Sequence, residues 1–119
     1  MRAALSALIS TAFLFAPSLV QAQLPAAELV EVTYHCERGV SLPAVYVNDG
    51  EGHVVALIEG RLLVLPRAIS ASGARYRETE EPGYELWSKG DSATLSWGSD
   101  ADSTILLRDC LAGDSGGEE

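Results

Sequence analysis

The run Tyr84-Glu85-Leu86-Trp87-Ser88-Lys89-Gly90-Asp91-Ser92-Ala93-Thr94-Leu95-Ser96-Trp97 decides the reading of the fold. Residues 84–88 and 92–97 read as short strands, and no sustained helical period runs through them. Lys89-Gly90 links them at hairpin length, and Gly90 can take the positive φ that a two-residue turn demands. Lys89, just before that glycine, then projects outward.

The rest of the chain repeats this pattern. Upstream, Val30, Val32, Tyr34 and Cys36 alternate with Glu31, Thr33 and His35, as in a half-buried strand. Residues 44–47 form a second strand, ended by the turn-rich Asn48-Asp49-Gly50-Glu51-Gly52. Residues 53–58 and 62–65 are apolar strands hinged at Glu59-Gly60-Arg61, and a loop around Ser70 follows. Residues 74–78 pair with 84–88 across a turn containing Pro82-Gly83, and a polar loop, 98–103, leads to a last strand at 104–110. The expected fold is all-β: a small antiparallel meander of eight strands, enough to close a barrel and remove its edges.

Cys36 and Cys110 bracket nearly all of this patterned region. An even pair in an oxidising compartment reads as one disulfide, tying the first strand to the last where the barrel closes. A redox pair would show Cys-x-x-Cys spacing, and a metal site would need more than two histidines and two cysteines. Neither a metal nor another cofactor is expected.

The N-terminus places the chain outside the cytoplasm. Met1-Arg2 is a short basic start, Ala3 to Leu19 is almost wholly apolar, and Val20-Gln21-Ala22 offers small or compact residues before a cut at Gln23. Residues 1–22 are therefore expected to be a secretory signal and 23–119 one domain, with its core at 29–111. Residues 26–28 and 111–119 read as tails, the latter rich in glycine and acidic residues. Pro17-Ser18 interrupts the apolar stretch and nothing basic follows, which fits an export signal better than a membrane anchor. No cysteine stands near the cut to take a lipid.

Loss of Arg2 with the signal moves the formal charge from −9 to −10. Such a surface disfavours nucleic acid and anionic lipid and favours a basic partner. Enzyme chemistry has little to stand on. Gly113-Asp114-Ser115-Gly116-Gly117 imitates a serine-protease nucleophile motif, but Ser115 is five residues from the end of a chain too short for two barrels. Asp100-Ala101-Asp102 imitates the start of a calcium loop, yet Ile105 and Leu111 stand where glycine and glutamate are needed. His35 and His53 stand alone. Nothing assembles a nucleophile, a base and an orienting group.

Three stretches together resemble the family of periplasmic and membrane-bound inhibitors of c-type lysozyme. They are Tyr34-His35-Cys36, then Ser70-Ala71-Ser72-Gly73-Ala74-Arg75-Tyr76, then Trp87-Ser88-Lys89-Gly90-Asp91-Ser92-Ala93-Thr94-Leu95, followed by the closing Cys110. The resemblance implies a single eight-stranded antiparallel barrel that binds lysozyme through the second and third stretches. Ser72 and Lys89 would enter the cleft and engage its two catalytic carboxyl groups, with Gly73, Arg75, Tyr76 and Gly90 in the same segments. Two departures stand out. The acidic turn Glu78-Thr79-Glu80-Glu81-Pro82-Gly83 is longer than expected for the family, and the lipidated cysteine of membrane-bound members is missing, which points to the soluble periplasmic type.

The residues make that role physically sensible. Lysozyme flanks its scissile bond with one protonated and one ionised carboxyl group. A lysine ammonium between them donates to both and occupies the space of the sugar. Lys89 is the only lysine in the chain. Ser72-Gly73 adds a hydroxyl and a bare backbone able to approach a narrow cleft. The competing readings are a small-molecule binder with its ligand inside the barrel, and an envelope scaffold without inhibitory role.

Overall fold

The computed structural model describes residue 3, residues 7–17 and residues 27–113. The expected cleavage point, and the tail from Asp114 on with Ser115, lie outside the described residues. Eight strands follow one another: β1 (Glu28–His35), β2 (Ser41–Asn48), β3 (His53–Ile58), β4 (Arg61–Ala68), β5 (Ala74–Arg77), β6 (Gly83–Lys89), β7 (Ser92–Gly98) and β8 (Ser103–Ala112). Each pairs antiparallel with the next, and β8 pairs back onto β1, closing a barrel in chain order.

Two prolines hid the full length of β2 and β4. Pro43 lies within β2 and Pro66 within β4. A proline removes a ladder donor and is tolerated in a sheet where that side of the strand has no partner. Pro43 faces Thr33 of β1, while the β2–β3 ladder starts only at Ala44. Pro66 faces His53 of β3, while the β4–β5 ladder holds only Arg67 and Ala68. Each proline is thus paired on one side alone.

The tails are also shorter than the sequence implies. Glu28 already pairs with Asn48, and Leu111 and Ala112 continue β8 to meet His35 and Tyr34. These last two pairs are the whole ladder between β1 and β8. One step further along the same register Cys36 meets Cys110, and they form the expected disulfide. The closing seam is therefore two rungs and a covalent staple. A bulge prepares it: the β7–β8 register shifts twice between Ala93 and Ser96, and Asp109 takes a positive φ of 55° beside Cys110.

Inside, Leu42, Val54, Ile58, Leu65, Leu86 and Leu95 are fully buried. Each such side chain contributes about 2 kcal/mol by leaving water. Tyrosines complete the filling: the Tyr34 and Tyr46 hydroxyls share a hydrogen bond of 2.7 Å, and the Tyr46 and Tyr76 rings lie 5.3 Å apart. Burial and the Tyr46 hydrogen bond raise the pKa of the Tyr34 phenol. The tryptophans are outside: Trp87 is 37% and Trp97 43% exposed. Strand alternation explains Trp87, because Leu86 beside it takes the inward position, whereas at Trp97 the register shift between Leu95 and Ser96 gives the inward place to Ser96. The inward positions are thus occupied by side chains. A groove of about 430 Å³ lies instead on the outer face, between Thr33, Pro43, Val45, Val55, Leu57 and Leu62.

Candidate docking site at one end of the barrel

Successive hairpin links alternate between the two ends of the barrel. Links 49–52, 69–73 and 90–91 gather at one end, and links 36–40, 59–60, 78–82 and 99–102 at the other. Ser72 belongs to link 69–73. Lys89 is the last residue of β6 and pairs with Ser92, so the two-residue turn is Gly90-Asp91 rather than Lys89-Gly90. Gly90 has a φ of +55°, the positive value that a primed hairpin turn requires at its first position.

The structure brings Ser72 and Lys89 together through Trp87. The Trp87 indole N–H donates to the Ser72 carbonyl oxygen at 3.0 Å, and the Ser70 hydroxyl donates to the same oxygen. The Lys89 ammonium stands 4.9 Å from the centre of the Trp87 ring. Gly73 completes the joint. A Cβ there would lie 2.5 Å from the Ser88 carbonyl oxygen and 2.6 Å from Lys89 Cγ, and the φ of +66° itself disfavours a side chain. Both Ser72 and Lys89 are exposed, and among the described residues no carboxylate pairs with Lys89. Trp87 was legible in principle. On a strand, residues two apart share a face, so an outward Lys89 implies an outward Trp87.

Arg75 and Tyr76 are placed differently, on opposite faces of β5. Tyr76 is 4% exposed and belongs to the core. Arg75 sits opposite Trp87 in the ladder, but its guanidinium is engaged by Glu85 and, at 3.1 Å, by Asp100. Arg77 joins the same network through Asp100 and through Glu81 at 3.3 Å. The two guanidiniums hold the Asp100 carboxyl below the usual carboxylate range. With a depressed folded-state pKa, this anchoring of link 99–102 is complete above the ordinary carboxylate range. It is lost as pH falls through the lowered value. An NMR titration should find the Asp100 midpoint below that of a model aspartate, and Arg77→Ala should move it back up.

The acidic turn also lies elsewhere than its sequence position implies. It falls between the two proposed contact segments in the chain but at the opposite end of the barrel in space. Glu78 accepts a hydrogen bond from the Tyr84 backbone N–H at 2.8 Å, and Glu81 pairs with Arg77. Among the described residues, no group of three or more His, Cys, Asp or Glu is placed to hold a metal ion.

The arrangement offers a cation, a hydroxyl and a bare backbone on a braced rim. An edge-free barrel carrying such a rim offers a surface suited to docking. Residues 34–104 match the protein family described as membrane-bound lysozyme-inhibitor of c-type lysozyme, and the chain belongs to that family.

Curated relatives carry the name membrane-bound lysozyme inhibitor of C-type lysozyme. The one from Pseudomonas aeruginosa is 39% identical over 66 residues, covering 54% of this chain and 50% of its own. The one from Yersinia enterocolitica is 30% identical over 78 residues, covering 66% of this chain and 61% of its own. The chain thus spans between half and three fifths of these relatives' length. The barrel is also similar to the crystal structure of the periplasmic lysozyme inhibitor of C-type lysozyme from Salmonella typhimurium. That likeness has a TM-score of 0.62 at 23% identity, over 73% of this chain and 100% of that one. At this identity it speaks for the fold.

Proposed function

We propose that this chain inhibits c-type lysozyme by binding, not by catalysis, with Lys89 and Ser72 entering the active-site cleft. The observation that carries the reading is the junction of the two candidate residues on one rim, with Trp87 touching both. Family membership and the names of the relatives supply the partner. The Lys89 ammonium would lie between the two catalytic carboxyl groups, donating charge-assisted hydrogen bonds to both. Ser72 would add a hydroxyl donor. Arg75 would then act from below, fixing β5 through Glu85, and Tyr76 from within the core. A disulfide-closed barrel behind an apolar leader fits export to the periplasm.

The direct test is inhibition of a c-type lysozyme by the barrel domain with its disulfide intact. Ser72→Ala should weaken inhibition by about 1–2 kcal/mol, since it removes one hydrogen bond to a charged group without stranding a charge. Arg61→Ala, at the opposite end of the barrel, is the control and should change little. No inhibition of any c-type lysozyme at micromolar concentration would end this reading.

Charge gives a second, kinetic expectation. A mature domain of formal charge −10, after loss of Arg2 with the leader, should associate with a basic lysozyme quickly at low salt, and more slowly as salt rises, while dissociation changes less. The acidic turn contributes to this only through the long-range field, being at the far end. Reversing Glu80 to Lys should therefore lower the association rate modestly and leave dissociation alone. An association rate unchanged between about 0.02 and 0.5 M salt would rule out steering.

A further inference from the structure

We infer that Trp87 is the positioning residue of the docking rim: its indole N–H fixes the Ser72 segment while its ring seats the Lys89 ammonium, so both donors stand ready before a partner arrives. The inference rests on the lysozyme-docking reading above and names the group that organises that site.

Three independent contacts converge on this side chain. The indole N–H, which solvent could satisfy on an exposed tryptophan, is spent on the Ser72 carbonyl of link 69–73. The Lys89 ammonium lies over the ring at 4.9 Å, within the range of a cation–π contact. Gly73 is seated against the indole edge so closely that a Cβ there would stand 2.9 Å from Nε1. The barrel has no need of this residue for its core. Trp87 projects from the outer face, whereas Leu86 beside it is fully buried.

The physical consequence is preorganisation. Link 69–73 is largely exposed, and the long lysine stem has many rotamers. Ordering either one on binding subtracts from affinity. Where only a fraction of molecules hold the competent arrangement, apparent affinity falls by that fraction. Trp87 raises the fraction for both donors at once. Its loss should therefore act through Ser72 and Lys89 rather than through the fold.

The experiment compares parent, Trp87→Phe and Trp87→Leu, each alone and combined with Ser72→Ala, in lysozyme inhibition and in thermal unfolding. Trp87→Leu should weaken inhibition about tenfold, and Trp87→Phe, which keeps a ring but no N–H donor, about threefold. Thermal unfolding should stay close to the parent in both. Ser72→Ala should cost clearly less in the Trp87→Leu background than in the parent, a coupling that an unrelated stabilising role would not produce. In the uncomplexed protein, the Trp87 indole proton should exchange with solvent more slowly than that of Trp97.

Parent-like inhibition by Trp87→Leu, full additivity with Ser72→Ala, or equal exchange of the two indole protons would each overturn the positioning role. A parent that inhibits no c-type lysozyme would instead remove the docking reading, and the indole exchange would still decide whether Trp87 clamps the rim.

Discussion

Lys89→Ala is expected to weaken inhibition of c-type lysozyme by about 2–5 kcal/mol, thirty-fold or more in affinity. The size follows from what the substitution leaves behind. If the ammonium lies between the two catalytic carboxyls, its removal strands them in a desolvated cleft without a donor. Truncating one member of a buried charged pair costs far more than losing a surface contact. Lys89→Glu should be worse still, because it sets a third carboxylate against the two. The barrel should not notice either change. Lys89 is exposed, and its ladder contacts with Ser92 are made by the backbone. Unfolding midpoints should therefore match the parent, and the loss should appear as faster dissociation. Inhibition by Lys89→Glu equal to that of the parent would show that the cation is not the docking group.

The second large effect belongs to the seam. Replacing both Cys36 and Cys110 by serine should lower the unfolding free energy by about 2–5 kcal/mol. The covalent link joins residues 74 apart in sequence, and closing a loop of that length restricts the denatured chain by about 4 kcal/mol in the chain-entropy model. The seam also has little else to hold it, since β1 and β8 share two register pairs where β1 and β2 share eight. Denaturant titration of parent and double variant measures the difference directly. Thiol labelling of the denatured, unreduced parent should find no reactive sulfur, and stoichiometric labelling would contradict the pairing.

The strand count, order and closure were legible because alternation, turn residues and hairpin-length links agreed with one another along the chain. Other features depend on tertiary context and were hidden. Pro43 and Pro66 end strands by propensity, yet each continues one where the neighbouring ladder stops. Leu111 and Ala112 read as the start of a tail until β1 supplied a partner. The outward place of Trp97 was hidden too, because the irregular register of β7 against β8 gives the inward place to Ser96. At the site, Ser72 and Lys89 came from motif resemblance, and the motifs did not show that the Ser72 carbonyl and the Lys89 ammonium meet on one tryptophan. Conversely, Arg75 and Tyr76 belong to the same motif in sequence, while β5 sends one outward to carboxylates and the other inward to the core.

The exposed ammonium on the rim is also the only side-chain amine in the protein. Amine-directed reagents therefore find two kinds of target, the α-amino terminus and Lys89, and acylating Lys89 erases its positive charge. Coupling the protein to a surface through its amines at high pH would silence it, whereas coupling through the N-terminus at neutral pH would leave it competent. A bound lysozyme should shield Lys89 from the same reagent, so the addition at Lys89, told apart from that at the α-amino terminus by peptide mass spectrometry, becomes a footprint of occupancy.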